Sequence, residues 1–389
     1  MPELETIAHG KIRPETALCC EGKASLVGAN GLNCVQGDLM GVGIIGTGYY
    51  VPSRILTNKD LESMVDTSDD WIFAKVGVRE RRIAEPQEAT SDLAIYAAQE
   101  ALRNAGVSPE EIDLVILATS SPDMIQPATA AIVQGKLGAL NSAAFDVSAV
   151  CAGFVYALTV AQAMMKANPV YTKALVIGAE TYSRILDWID RTTCVYFGDG
   201  AGAVVLGKQP DPYGIQTTYL KNDGRGAGAI RYLGGGSRHP ASQETLAQNL
   251  HRFEMNGKAV WDFATKACPA SIRKVVADAG LKVSDIDWVI THQANINIIR
   301  SSLDELGIPM SKTYTTIEQY ANTAGASIPI TLAEAHKKGL FKRGDKIVLV
   351  GFGGGLSLGA VYLEWGLEHP GAQRLLKRQS VRLGSNQRN

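Results

Sequence analysis

The sequence predicts an α/β chain made of two similar halves, each a mostly parallel sheet covered by helices. Three observations carry this reading. Apolar runs at 112–119 (IDLVILAT) and 173–180 (KALVIGAE) have the uniform character of strands buried on both faces. Helical patterns separate them, as in alternating βα proteins. Residues 105–121 (AGVSPEEIDLVILATSS) return as residues 279–295 (AGLKVSDIDWVITHQAN), 105 against 279, an offset of 174 positions. Self-similarity of that length implies duplicated structural units.

In chain order, residues 1–40 mix Glu3, Glu5, Glu15 and Glu21 with Lys11, Arg13 and Lys23. They lack the apolar core of a secretory signal, so a weakly ordered extension is expected. The first half spans 41–212 and opens with a strand at 43–48 (GIIGTG). Residues 41–46 match GxGxxG literally, but the glycines precede or interrupt a strand instead of entering a helix, so no dinucleotide site is expected. A helix follows at 91–105, capped by Ser91 and closed by Gly106. A strand-like run at 144–147 leads through a short turn into a long apolar helical pattern. The second half, 213–366, repeats the order. There 322–327 (NTAGAS) answers 150–154 (VCAGF), 347–355 answers 173–180, and 357–363 answers 200–206. The tail, 367–389, carries Arg374, Lys377, Arg378 and Arg382 and is expected at the periphery.

A net charge of −1 without basic runs excludes nucleic acid as an expected partner. No stretch approaches the roughly 18 uninterrupted apolar residues of a membrane span. The six cysteines (19, 20, 34, 151, 194, 268) form neither a disulfide framework nor a metal-ligand spacing, so no metal and a reducing, cytoplasmic setting are expected.

Cys151 stands where the 144–147 run gives way to the helix. A helix N-terminus favours a thiolate there. The small neighbours Ala152 and Gly153 let a substrate carbonyl approach the backbone. Alone, Cys151 reads equally as a packed core thiol, His292 as a hydrogen-bonded core histidine and Asn322 as a cap. The repeat changes this. It sets Cys151 and the Asn322 loop at equivalent positions, with His292 ending the repeated strand, at edges where α/β sheets bind ligands. If the halves pack by a pseudo-twofold, the two loops converge on one central site. Cys194 and Cys268 read as core, Asp199 as fixing a turn, and His239, His251 and His336 as surface or loop residues.

The chain resembles the thiolase-fold condensing enzymes, and most closely the β-ketoacyl-acyl-carrier-protein synthase III family. The resemblance covers about residues 41–365. It rests on 67–83 (TSDDWIFAKVGVRERRI), 146–158 (DVSAVCAGFVYAL), 197–206 (FGDGAGAVVL), 291–295 (THQAN), 322–329 (NTAGASIP) and 351–360 (GFGGGLSLGA). It implies a duplicated thiolase-like fold, two similar βαβ-rich halves with layered sheets and central helices. It implies Cys151 as nucleophile, His292 and Asn322 as supports for decarboxylation, and an oxyanion hole from the N–H groups of Cys151 and Gly354. An acyl-CoA acylates the cysteine. Malonyl on an acyl carrier protein then loses carbon dioxide and condenses to a 3-oxoacyl product, the starter step of type II fatty-acid synthesis or of a polyketide. No metal or redox cofactor is implied, and coenzyme A enters only as a substrate thioester.

Trp71 and Arg191 match residues beside the CoA adenine, and a homodimer across an edge strand is implied. Four positions depart from the family. Lys75 stands for an arginine, Asn297 for a basic residue facing the carrier, Gln126 for a large apolar residue that lines the acyl pocket across the dimer, and Leu358 for a tryptophan. These departures motivate a second reading, in which the acyl group passes to a small acceptor in a secondary pathway or a non-standard starter is condensed. A non-catalytic partner subunit is a third, disfavoured by the presence of Cys151, His292 and Asn322. A degradative thiolase needs a later cysteine, and none follows Cys268.

Overall fold

The structure is a computed structural model that describes residues 40–368. The expected N-terminal extension and most of the tail lie outside the described residues. Of their edges, Met40 opens the first strand and Leu367 is buried against the core, so the body extends past the predicted tail boundary.

Two sheets of matching order form the frame. The first contains β1 (Met40–Tyr50), β2 (Leu114–Ala118), β3 (Ala143–Val147), β4 (Lys173–Glu180) and β5 (Gly200–Pro210), in the order β1-β5-β4-β2-β3. The second contains β6 (Gly214–Asn222), β7 (Trp288–Thr291), β8 (Lys346–Gly353) and β9 (Ser357–Glu364), in the order β6-β9-β8-β7. Strand for strand the second repeats the first, with β3 as an added parallel edge. The expected mostly parallel sheet needs correction. β1, β5 and β4 pair antiparallel, as do β6, β9 and β8. Only three residues separate β8 from β9, too few for the crossover a parallel neighbour requires.

Helices α1 (Asp69–Val76), α2 (Thr90–Ala105), α3 (Gly153–Ala167), α4 (Gly257–Asp278), α5 (Ile296–Leu306) and α6 (Ser327–Lys337) complete the layers. α3 and α6 lie between the sheets. Phe154, Leu158, Ile328 and Leu332 pack there against Ile116 and Val176 of one sheet and Leu349 and Val361 of the other. α2 covers the outer face of the first sheet, and α4 and α5 that of the second. Burial on both faces is why β2 is apolar at every position. Val150–Ala167 is by length and composition apolar enough to cross a membrane, contrary to the sequence reading. Its place between two sheets makes it a core helix.

The duplication reaches the backbone angles. Val150 (φ 48°) and Ala324 (φ 44°), 174 positions apart, both adopt the left-handed region. Each opens a one-turn 3₁₀ helix, 150–152 and 324–326, that feeds α3 or α6. A non-glycine residue held there costs about 1–3 kcal/mol, so its recurrence marks a turn that the fold enforces.

The GxGxxG region packs, as its strand setting suggested. A Cβ on Gly46 would lie 2.5 Å from the Ala101 oxygen, and one on nearby Gly48 2.3 Å from the Ala101 nitrogen, so α2 rests directly on β1. α2 begins at Thr90, one residue before the predicted cap. Ala89 is the N-cap, its N–H donating to the Asp92 carboxylate, and the Ser91 N–H instead donates to Asp123. His336 is also corrected. It is buried at the end of α6, with Nδ1 3.0 Å from Thr47 Oγ1 and its ring against Trp365.

Candidate active site

Three chain segments deliver Cys151, His292 and Asn322 to one cavity of about 180 Å³. Cys151 sits in the 150–152 turn ahead of α3, His292 directly follows β7, and Asn322 precedes the 324–326 turn ahead of α6. All three are buried. The end of β8 closes on the cysteine. A Cβ on Gly353 would fall 2.8 Å from Cys151 Cβ and 3.1 Å from Sγ, which only a glycine avoids. Gly354, one peptide on, faces Val150 at 3.0 Å by the same measure.

Electrostatics at Cys151 oppose the expectation from the helix dipole. Burial, and then the neighbouring Glu180 carboxylate, push the resting thiol far above its ordinary range. Burial also acts on His292, lowering it to about 3, so the ring is neutral near pH 7. Its tautomer follows from its partners. Ser327 Oγ, 2.6 Å from His292 Nδ1, also accepts the Gln293 N–H, and when its hydroxyl donates to Nδ1 the ring proton sits on Nε2. The Nε2–H is then left for the cavity. Asn322 is held similarly. Its Oδ1 accepts the Ala324 N–H at 2.8 Å, which leaves the amide NH₂ as the unused end.

The walls are residues that the sequence reading missed. Tyr182 stacks on Phe197 at 4.9 Å, and Phe253 packs edge-on to both. Phe352 meets the His292 ring edge-on at 5.2 Å. These aromatics come from loops and strand ends with no shared period, so no pattern announces them. Ser327 was visible in NTAGAS but unassigned.

The remaining predicted site residues lie outside this cavity. Trp71 is half-buried on α1, with the Arg191 guanidinium 5.1 Å from its ring centroid and Arg191 Nη1 donating to the Asp66 carbonyl at 2.6 Å. The structure thus pairs these two. Lys75 is exposed on α1, and its carbonyl accepts from the side chains of Asn295 and Asn297. Gln126 is exposed on a surface loop and does not line the chain's own cavity. Leu358 in β9 also lies elsewhere. It is 5% exposed, pairs with Phe352 of β8, and packs toward Phe263 and Ala267 of α4.

A doubled sheet-and-helix frame, with a cysteine, a histidine and an asparagine at its centre, is the architecture of the thiolase-fold enzymes. Comparisons narrow the class. Residues 145–224 match the 3-oxoacyl-[acyl-carrier-protein] synthase III family model, and residues 276–365 match its C-terminal counterpart. A β-ketoacyl-[acyl-carrier-protein] synthase III of Caldanaerobacter subterraneus is 49% identical over 328 residues, covering 84% of this chain and 99% of that protein. The crystal structure of 3-oxoacyl-[acyl-carrier-protein] synthase III from Aquifex aeolicus is 44% identical with a TM-score of 0.77, covering 84% of this chain and all of that one. A priming β-ketosynthase from the R1128 polyketide pathway is 32% identical with a TM-score of 0.79, covering 85% and 97%. The chain belongs to the β-ketoacyl-[acyl-carrier-protein] synthase III family.

Proposed function

We propose that the protein joins an acyl group from an acyl-CoA to the two-carbon unit of malonyl-acyl carrier protein, with Cys151 as the acyl carrier. The observation that carries this is the meeting of Cys151, His292 and Asn322 in one small, apolar-walled cavity. In the first half-reaction the sulfur attacks the acyl-CoA thioester and its proton leaves with the CoA thiol. His292, at about 3, is too weak a base to hold that proton at rest, so the transfer passes through the site without a stable imidazolium. The N–H of Cys151 and that of the Gly353–Gly354 peptide are the donors for the tetrahedral oxyanion.

In the second half-reaction malonyl loses carbon dioxide. The His292 Nε2–H and the Asn322 amide stabilise the enolate oxygen, and being neutral they do not protonate the carbanion that must attack the acyl-Cys151 carbonyl. One such donor is worth about 10²–10³ in rate. Trp71 and Arg191 offer a stacking face and a charge for the purine and phosphates of CoA. The edge strand β3 supports self-pairing into a homodimer. The three described cysteines are free and fit a reducing, cytoplasmic setting. Product analysis with acyl-CoA and malonyl-carrier protein tests the proposal. The expected product carries a new carbon–carbon bond, with one carbon dioxide released. His292→Ala or Asn322→Ala should keep acylation and lose at least about 10² in condensation. Turnover without carbon dioxide release contradicts it.

A further inference from the structure

We propose that Glu180 stores and delivers the proton that condensation consumes, passing it through Ser120 and Tyr182 to the cavity of Cys151. The proposal rests on the condensation reading above and adds a component to it. Acylation is proton-neutral, because the thiol proton departs with CoA. Condensation is not. Decarboxylation of a malonyl carboxylate leaves a carbanion, the carbanion displaces the Cys151 thiolate, and that thiolate needs one proton to return to the thiol. The cavity is apolar, and His292 carries no spare proton.

Glu180 ends β4, fully buried, and no cation pairs with it among the described residues. Its carboxylate is met by hydroxyls. Ser120 Oγ donates to Oε1 at 2.9 Å and Ser121 Oγ to Oε2 at 2.6 Å, with Thr119 Oγ1 at 3.3 Å. The Gly325 N–H, at the position equivalent to Cys151 in the other half, donates at 3.3 Å. Ser120 Oγ lies 2.9 Å from the Tyr182 hydroxyl, and Tyr182 lines the cavity with Cys151. On its other side, Ser120, Ser121 and Thr181 line a separate cleft of about 750 Å³. The carboxyl therefore stands between the reaction cavity and a cleft that can resupply it. In the delivery step the acid form of Glu180 donates to Ser120, Ser120 passes its own proton to Tyr182, and the Tyr182 proton enters the cavity that holds the Cys151 sulfur. That leaves a carboxylate and a thiol, and the cleft reprotonates the carboxylate.

Burial pushes Glu180 up to about 7 against the pull of its donors, so the acid form is populated near neutrality. The titratable groups facing it are the Cys151 thiol and the Tyr182 phenol. Asp199 is tied to Ser183 and the Ala84 N–H, Arg184 turns to the carbonyls of Glu85 and Pro86, and His292 is shifted by burial alone.

The test separates the half-reactions. The full chain is acylated with acyl-CoA and freed of CoA. Single-turnover condensation with malonyl-carrier protein is then followed on both sides of neutrality. The wild-type rate should fall as pH rises through about 7. Glu180→Gln should still acylate, but condense about 10²-fold slower and lose that fall. Tyr182→Phe, which keeps the stacked ring, should do the same. A Glu180→Gln protein with the wild-type pH profile overturns the relay. If Glu180→Gln fails to fold, a Tyr182→Phe protein with wild-type rate and profile overturns it equally. A wild-type protein that releases no carbon dioxide overturns the condensation reading and the relay together.

Discussion

His292 is neutral because it is buried, and that choice has a cost the protein meets at low pH. Its value falls from an ordinary 6.5 to about 3, so the unfolded chain takes up the proton first as pH drops. A depressed value contributes stability above the unfolded value and loses it as pH falls toward the folded one. Between about 6.5 and 3, the wild type should lose up to about 1.4 kcal/mol per pH unit relative to His292→Asn, which cannot titrate there. Denaturant melts of both proteins across that range check it, and parallel curves contradict it. At this scale the sequence was legible only in part. The three polar residues stood out because the repeat aligned their segments. The high resting thiol of Cys151 did not, because burial and the Glu180 charge come from the tertiary packing of strands far apart in sequence. Glu180 itself was visible as an acid ending an apolar run, but its surroundings were not.

Among the elements, small residues set how closely helices meet sheets. Gly48 accepts the α2 backbone at a distance where no side chain fits, and Ala97, Ala98 and Ala101 form the facing surface. Gly48→Val should destabilise by about 1–3 kcal/mol or more through forced displacement of α2. Gly135, exposed within the helix Thr129–Leu137 with nothing near its missing Cβ, should behave oppositely. Gly135→Ala should stabilise by about 0.5–1 kcal/mol. Thermal melts of the two variants give shifts of opposite sign if this is right. Strand runs were readable because two-sided burial makes them uniformly apolar. That same uniformity hid which way Leu358 faces, since no alternation distinguishes the two sides of β9. The start of α2 was misplaced because the cap is supplied from Asp92 backward, not by a side chain at Ser91.

For the whole molecule, duplication is the organising fact. The offset of 174 positions in sequence became two sheets of matching order, two central helices and two left-handed turns. The turn before α3 meets the turn before α6, which is why the cavity lies between halves. A single chain leaves the β3 edge open, and light scattering should give about twice the 41.5 kDa chain mass. Proline at Phe145 on that edge should shift the mass to one chain. An unchanged mass would place the interface elsewhere.

The most direct measurement is intact-protein mass spectrometry after incubation with an acyl-CoA. The wild-type chain should gain one acyl group, and Cys151→Ala should gain none. An acyl adduct that persists on Cys151→Ala would contradict the account at its centre.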